Sequence, residues 1–166
     1  MTRYTVVDSP LGPITLTGDE RGLAGVALQN GTKQPRAIDH LREDRALFQA
    51  AIEQLRAYFA GELRRFELTL HTPDATDFQR RVWRALQTIP FGQTVSYRDI
   101  AEQIDAPRAV RAVGAANGKN PIAIVVPCHR VIGADGSLTG YAAGLDNKRW
   151  LLAHEARLFH AENIRA

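Results

Sequence analysis

The chain contains one cysteine, Cys128, among its 166 residues. A lone thiol cannot close an internal disulfide, and with scattered histidines it supplies no Cys-rich zinc site. Cys128 is therefore buried filler, a nucleophile or a sensor. No metal or cofactor is expected. No segment approaches the roughly 18 apolar residues of a membrane span. The first twenty residues, MTRYTVVDSPLGPITLTGDE, lack a basic leader followed by an apolar run. These absences lead to the expectation of an intracellular, unprocessed protein with cytoplasmic localisation and no membrane partner. Repeats and low-complexity tracts are missing as well.

Net charge is also scarce, at +3, but it is unevenly placed. Residues 1–76 carry nine Lys/Arg against ten Asp/Glu, whereas residues 77–166 carry twelve against eight. The C-terminal half is the part suited to a polyanion, although charge alone leaves simple Arg-rich usage an equal reading.

What the chain does have, a 45% hydrophobic composition, is enough to bury a core in one domain or two small ones. The pattern predicts strands at Tyr4 to Val7, Ile14 to Thr17 and Leu23 to Leu28, with Gly12-Pro13 and residues 19–22 as turns. The polar stretch Asn30 to Asp39 reads as a loop. Phe48, Ile52, Leu55 and Phe59 recur at helical spacing, which predicts one helix over 46–60 that Gly61 stops. Phe66, Leu68 and Leu70 alternate as a further strand. The unpatterned His71 to Ala75 sets a boundary, giving a 1–75 unit and a 76–166 unit.

The second unit opens with a capping-box pattern, Thr76-Asp77-Phe78-Gln79, before a helix carrying Val82, Trp83 and Leu86 that ends at Pro90. A second cap signal, Ser96-Tyr97-Arg98-Asp99, starts a short helix ending near Ala106-Pro107. A third helix runs from Arg108 to about Gly118. The fold class read from this order is α+β: a small N-terminal antiparallel sheet with a helix, then a mainly helical, winged helix-turn-helix-like domain.

On the third helix, Val110, Val113 and Asn117 share one side, and Arg111, Gly114, Ala115 and Gly118 share another. The second face carries one long side chain and almost no group able to read base edges. A minor groove about 6 Å wide would admit such a surface, with Arg111 filling the gap left by an extruded nucleotide. The competing reading is that the small residues pack against another helix and Arg111 is merely solvated.

Ile122 to Val126 is a short apolar run expected to be a buried strand or extended segment, with Pro127 holding Val126 extended. Cys128 then leaves the core beside His129 and Arg130, two groups able to favour its thiolate or take its proton. Adjacent side chains do not face one another in regular structure, so any Cys128–His129 transfer needs a turn or a water. In a final helix starting near Asp146, Glu155 falls among Leu151, Leu152, Leu158 and Phe159. A carboxylate on an apolar face needs a partner. His129 is one candidate; Arg130, Lys148 and Arg149 are the others.

Pro127-Cys128-His129-Arg130, flanked by Ile124-Val125-Val126 and Val131-Ile132-Gly133, resembles the signature of O6-alkylguanine-DNA alkyltransferases, the methylated-DNA–protein-cysteine methyltransferases. Ser96-Tyr97, Arg108 to Gly114, Gly118 to Pro121 and Trp150 to Glu155 resemble the family too, at compatible spacing. The likeness covers residues 77–166; the N-terminal half is only loosely similar. It implies a DNA-repair protein that flips O6-alkylguanine from duplex DNA and moves the alkyl group irreversibly to Cys128, once per molecule. O4-alkylthymine is left open as a second substrate.

By the same resemblance His129 and Glu155 would be the activating relay, Asn120 the hinge bracing the active-site turn, and Arg111 the finger replacing the flipped nucleotide. Tyr97 would contact the backbone and help protonate guanine N3, beside a DNA-facing set of Arg98, Gly114, Ala115 and Gly118. Tyr141 would wall the base pocket, the backbone of Ala142 would point at O6, and the carbonyls of Cys128 and Val131 would accept from the exocyclic amine. The implied partner is double-stranded DNA carrying alkylated bases, with no obligate protein partner. Ala142-Ala143-Gly144 stands where some members have Ser-Gly-Gly, and Ala123 where some have Pro; both changes are expected to disfavour bulky adducts. The competing readings are a non-catalytic lesion-binding module, whose relatives replace the cysteine by a residue such as Trp, and a cysteine hydrolase, which would need an oxyanion hole.

Overall fold

The computed structural model describes residues 1–29, 38–138, 141 and 143–165, with side chains described as far as residue 160. Most of the loop expected from Asn30 to Asp39 therefore lies outside the described residues, as does Ala142.

Strands β1 (Arg3–Val7), β2 (Ile14–Asp19) and β3 (Gly22–Leu28) form an antiparallel meander at the expected positions. Gly12, at φ +88°, makes the first turn, and Ser9 ties it by accepting from the Leu11 N–H and donating to the Gly12 carbonyl. A fourth strand, β4 (Arg42–Glu43), lies parallel on β1 and completes the order β3-β2-β1-β4. Two exposed charged residues leave no alternating pattern, so nothing in the sequence marks this edge.

The expected single helix over 46–60 is two elements. Asp44 accepts from the Leu47 N–H and caps a 3-10 turn at Arg45–Phe48, and α1 (Gln49–Phe59) follows with Ile52, Leu55 and Tyr58 buried. The strand expected around Phe66 to Leu70 does not form. Only Leu70 bridges Leu23, because the Gln54 side chain takes both backbone groups of Glu67, at 3.0 and 2.8 Å, that a neighbouring strand would need.

In the C-terminal half, α2 (Asp77–Leu86) starts at a full capping box between Thr76 and Gln79, and α3 (Tyr97–Gln103) at another between Ser96 and Asp99. α2 stops short of Pro90: Gln87 still bonds back to the Trp83 carbonyl, and Thr88 and Ile89 then tighten into i→i+3-type bonds. Helix α4 (Val110–Gly118) packs on α2, where Trp83 Nε1 donates to the Ala116 carbonyl at 2.9 Å. The wing is a two-stranded parallel ladder, β5 (Val95–Ser96) on β6 (Val131–Ile132), and α5 (Leu145–Arg165) closes the chain.

The largest departure from expectation is Ile122 to Val126. It is a buried turn rather than a strand, with one bridge from Ile122 to Val26 and Ile124 at φ +70°. Its apolar residues reflect depth in the core, not extension. Asn120 makes the turn possible: its Oδ1 accepts from the Ile122 N–H at 3.0 Å and its Nδ2 donates to the Val126 carbonyl at 2.9 Å. Pro127 (φ −80°, ψ 63°) then forms an inverse γ-turn, closed by Cys128 N to Val126 O at 2.7 Å, and Cys128–Arg130 is a 3-10 turn running into β6.

Candidate active site

These consecutive turns place Cys128 4% exposed, directly before the wing strand. The Asn120 side chain, the Tyr141 hydroxyl and the Lys148 ammonium act on the thiol. Burial pushes its pKa up, and these neighbours only partly pull it back. Cys128 thus rests as a thiol.

His129 is fully buried and its Nε2 lies 2.6 Å from Glu155 Oε2. Burial lowers its pKa against the opposing pull of Glu155, so the imidazole rests neutral. Its Nδ1 is buried and has no hydrogen-bond partner among the described residues, so no direct bond joins it to Cys128. This neutral nitrogen is a free acceptor within the site.

Two of the partners left open for Glu155 by the sequence bind it at once. Besides His129, Arg130 donates from Nε at 2.7 Å and Nη2 at 3.1 Å, while its Nη1 donates to the Ile89 carbonyl at 2.7 Å. Tyr58 adds a third, its hydroxyl donating to Oε2 at 2.6 Å, and the Gly92 N–H reaches Oε1 at 3.3 Å. Burial alone would raise the carboxyl pKa, but His129 and Arg130 outweigh it and hold Glu155 ionised, well below the usual carboxylate range. Arg130 keeps this true when His129 is neutral. Arg149 instead pairs with Asp146 at the surface.

Lys148 is also fully buried, donating from Nζ to the Val131 carbonyl at 2.7 Å and lying 5.6 Å from the centre of the Tyr141 ring. The Val131 carbonyl, expected to accept from a bound base, therefore already carries one donor and keeps one lone pair. The Cys128 carbonyl takes the Val131 N–H and, at 3.5 Å, Asn117 Nδ2. Tyr141 is buried, and its hydroxyl finds no hydrogen-bond partner among the described residues other than the Cys128 thiol it acts on.

The sequence reasoning missed Tyr58, gave Asn117 no role in the site, left Arg130 undecided and weighed Lys148 only as a partner of Glu155, whereas its Nζ donates to the Val131 carbonyl. The place of Lys148 in the site was findable, since it shares the Leu151–Glu155 side of α5 at spacings of three and four. Tyr58 was not, because its partner is 97 residues away.

On α4, Val113 and Asn117 are buried, while Arg111 and Ala115 are exposed and Gly114 and Gly118 half-exposed. A Cβ on Gly114 would meet only the Tyr97 ring, at an ordinary 3.9 Å, and one on Gly118 would meet nothing within 4 Å. Internal packing therefore does not require either glycine, and the smooth face is turned outward. Tyr97, half-buried, and exposed Arg98 open α3 beside it. Among the described residues no cluster of His, Cys, Asp and Glu could hold a metal ion, and no helix is long and apolar enough to cross a membrane.

Comparison with known proteins matches two adjoining families. Residues 2–72 match "6-O-methylguanine DNA methyltransferase, ribonuclease-like domain", and residues 77–157 match "6-O-methylguanine DNA methyltransferase, DNA binding domain". A methylated-DNA–protein-cysteine methyltransferase of Mycolicibacterium paratuberculosis is 57% identical over 157 residues, covering 95% of this chain and 94% of the relative. One of Methanosarcina acetivorans is 53% identical over 152 residues, covering 92% and 97%. The crystal structure of Mycobacterium tuberculosis OGT in complex with DNA superposes with a TM-score of 0.86 at 52% identity, covering 94% of each chain. With both halves matched at this level, the chain belongs to the methylated-DNA–protein-cysteine methyltransferase family.

Proposed function

We propose that Cys128 is the alkyl acceptor in the DNA-repair transfer, and that the buried His129 Nδ1 is the observation that carries the assignment. A resting thiol needs a base. The nitrogen without a partner belongs to a neutral imidazole whose other nitrogen is held 2.6 Å from an ionised carboxylate. In the reaction the sulfur forms a bond to the alkyl carbon, the C–O6 bond breaks, and the electron pair leaves with guanine O6. The thiol proton passes to His129, across the turn or through a water, and Glu155 stabilises the resulting imidazolium. The product is a thioether, and because thiolate is a poor leaving group from its alkyl carbon the group is not passed on, so each molecule turns over once.

In the same reading, Tyr97 steadies the DNA backbone and supplies the proton to guanine N3. Tyr141 walls the pocket, and the O6 contact is assigned to the backbone of Ala142, which is outside the described residues. The Cys128 and Val131 carbonyls hold the exocyclic amine, and Asn120 braces the turn. Arg111 enters the duplex while Arg98, Gly114, Ala115 and Gly118 lie against it. The outward, almost featureless face of α4 supports this approach to the minor groove. Residues 1–75 and 76–166 act as the two units, and the protein works in the cytoplasm.

The test is incubation with a duplex bearing O6-methylguanine, followed by intact-protein mass spectrometry. A gain of one methyl per molecule that is lost in Cys128→Ser is expected. An unmodified protein that still binds the lesion would leave only a binding module.

A further inference from the structure

We infer that Tyr58 is a positioning residue of the alkyl transfer: its hydroxyl, supplied by the N-terminal unit, fixes the Glu155 carboxylate at the far end of the proton path from Cys128. The inference rests on the Cys128–His129–Glu155 reading above and adds a fourth member from another part of the chain.

The geometry is specific. Tyr58 Oη donates to Glu155 Oε2 at 2.6 Å, the same oxygen that lies 2.6 Å from His129 Nε2. Tyr58 is fully buried, with its ring against Phe66, Phe91 and His154 at centroid distances of 5.6, 6.1 and 5.2 Å. Its main chain is held as well, because His154 Nε2 donates to the Tyr58 carbonyl at 2.9 Å. The hydroxyl is thus delivered from a rigid helix to one lone pair of one oxygen. A hydroxyl kept only for packing would not need an ionised acceptor, and one able to reach water would not need burial.

Sharing that oxygen has a chemical consequence. The charged and titratable groups facing Glu155 are His129, Arg130 and Tyr58, with the Gly92 N–H beside them; Lys148, Tyr141 and Cys128 lie around the site beyond His129. Tyr58 occupies part of the acceptor strength of Oε2. Without its bond the carboxylate becomes more basic and holds the His129 proton more tightly. Less neutral His129 is then available at a given pH to take the proton of the thiol. The carboxylate also loses one of the contacts that set its orientation, which loosens the imidazole.

Tyr58→Phe removes the hydroxyl and keeps the ring. Single-turnover methyl transfer from O6-methylguanine duplex, followed across pH by quench and mass spectrometry, should show the acid limb displaced upward by about half to one pH unit. The neutral-pH rate should fall about tenfold. Phe66→Leu loosens the same ring cluster without touching the carboxylate; it should lower the melting temperature and leave the acid limb where it is in the wild type. An unmoved acid limb in Tyr58→Phe, with Cys128→Ser inactive, overturns the role of Tyr58 alone. Equal displacement in Phe66→Leu also overturns it, since packing would then be the cause. Transfer that persists in Cys128→Ser overturns the acceptor reading and this inference with it.

Discussion

Replacing Arg130 by Met should be among the most damaging single changes in the protein. Arg130 is 5% exposed and Glu155 1%, and the guanidinium gives the carboxylate its only permanent opposite charge among the described contacts. His129 cannot substitute, because burial keeps it neutral, and Tyr58 offers a neutral donor. Removing one member of a buried pair typically costs about 3–5 kcal/mol. For a chain of this length that is a fall in melting temperature of roughly 6–20 °C.

The double variant Arg130→Met/Glu155→Gln removes both charges, so its loss should be smaller than the sum of the singles by about 2 kcal/mol or more. Urea denaturation at neutral pH, read by circular dichroism with a constant slope, measures all three. The pH dependence gives an independent check. Glu155 has a folded pKa below its ordinary 4.5, so its contribution is complete above pH 4.5 and is lost as pH falls through the lower folded value. Arg130→Met should have less of this acid-sensitive stability to lose. A cost under about 1 kcal/mol for Arg130→Met, or strict additivity in the double variant, would refute the charge-clamp reasoning.

Three further outcomes follow from the same geometry. The folded pKa of His129 lies below its ordinary 6.5, so the unfolded chain takes up that proton first and stability should fall as pH drops below 6.5; a melting series should show this slope flattened in His129→Gln. Arg111→Ala, at an exposed site, should leave stability within about 0.5 kcal/mol, slow repair of duplex about tenfold or more, and spare transfer from the free methylated base. Methylation of Cys128, wedged among Asn120, Tyr141 and Lys148, should overpack the core by about 1–3 kcal/mol, seen as a lower melting temperature for the alkylated protein.

The fold was legible wherever a local rule decides the outcome. Thr76 and Ser96 announce their helices because a cap and its partner lie three residues apart, and Ile14 and Leu16 announce β2 by alternation. It was illegible where a distant side chain intervenes. Gln54 satisfies Glu67 and so dissolves the strand expected there, and Asn120 folds Ile122 to Val126 into a turn that the apolar composition disguises. The site shows the same division. Cys128, His129 and Glu155 could be singled out because a lone cysteine beside a histidine and a carboxylate on an apolar face are conspicuous. That Glu155 would serve His129, Arg130 and Tyr58 together depends on α1, the Cys128 turn and α5 meeting in space.

Locating the transferred group is the most direct test of Cys128 as the acceptor. After one incubation with a duplex whose O6-methyl carbon is isotopically labelled, proteolysis and mass spectrometry should find the label on the peptide containing Cys128, at one per molecule, with guanine restored in the DNA. Label on another residue, or demethylated guanine with no label on the protein, would contradict it.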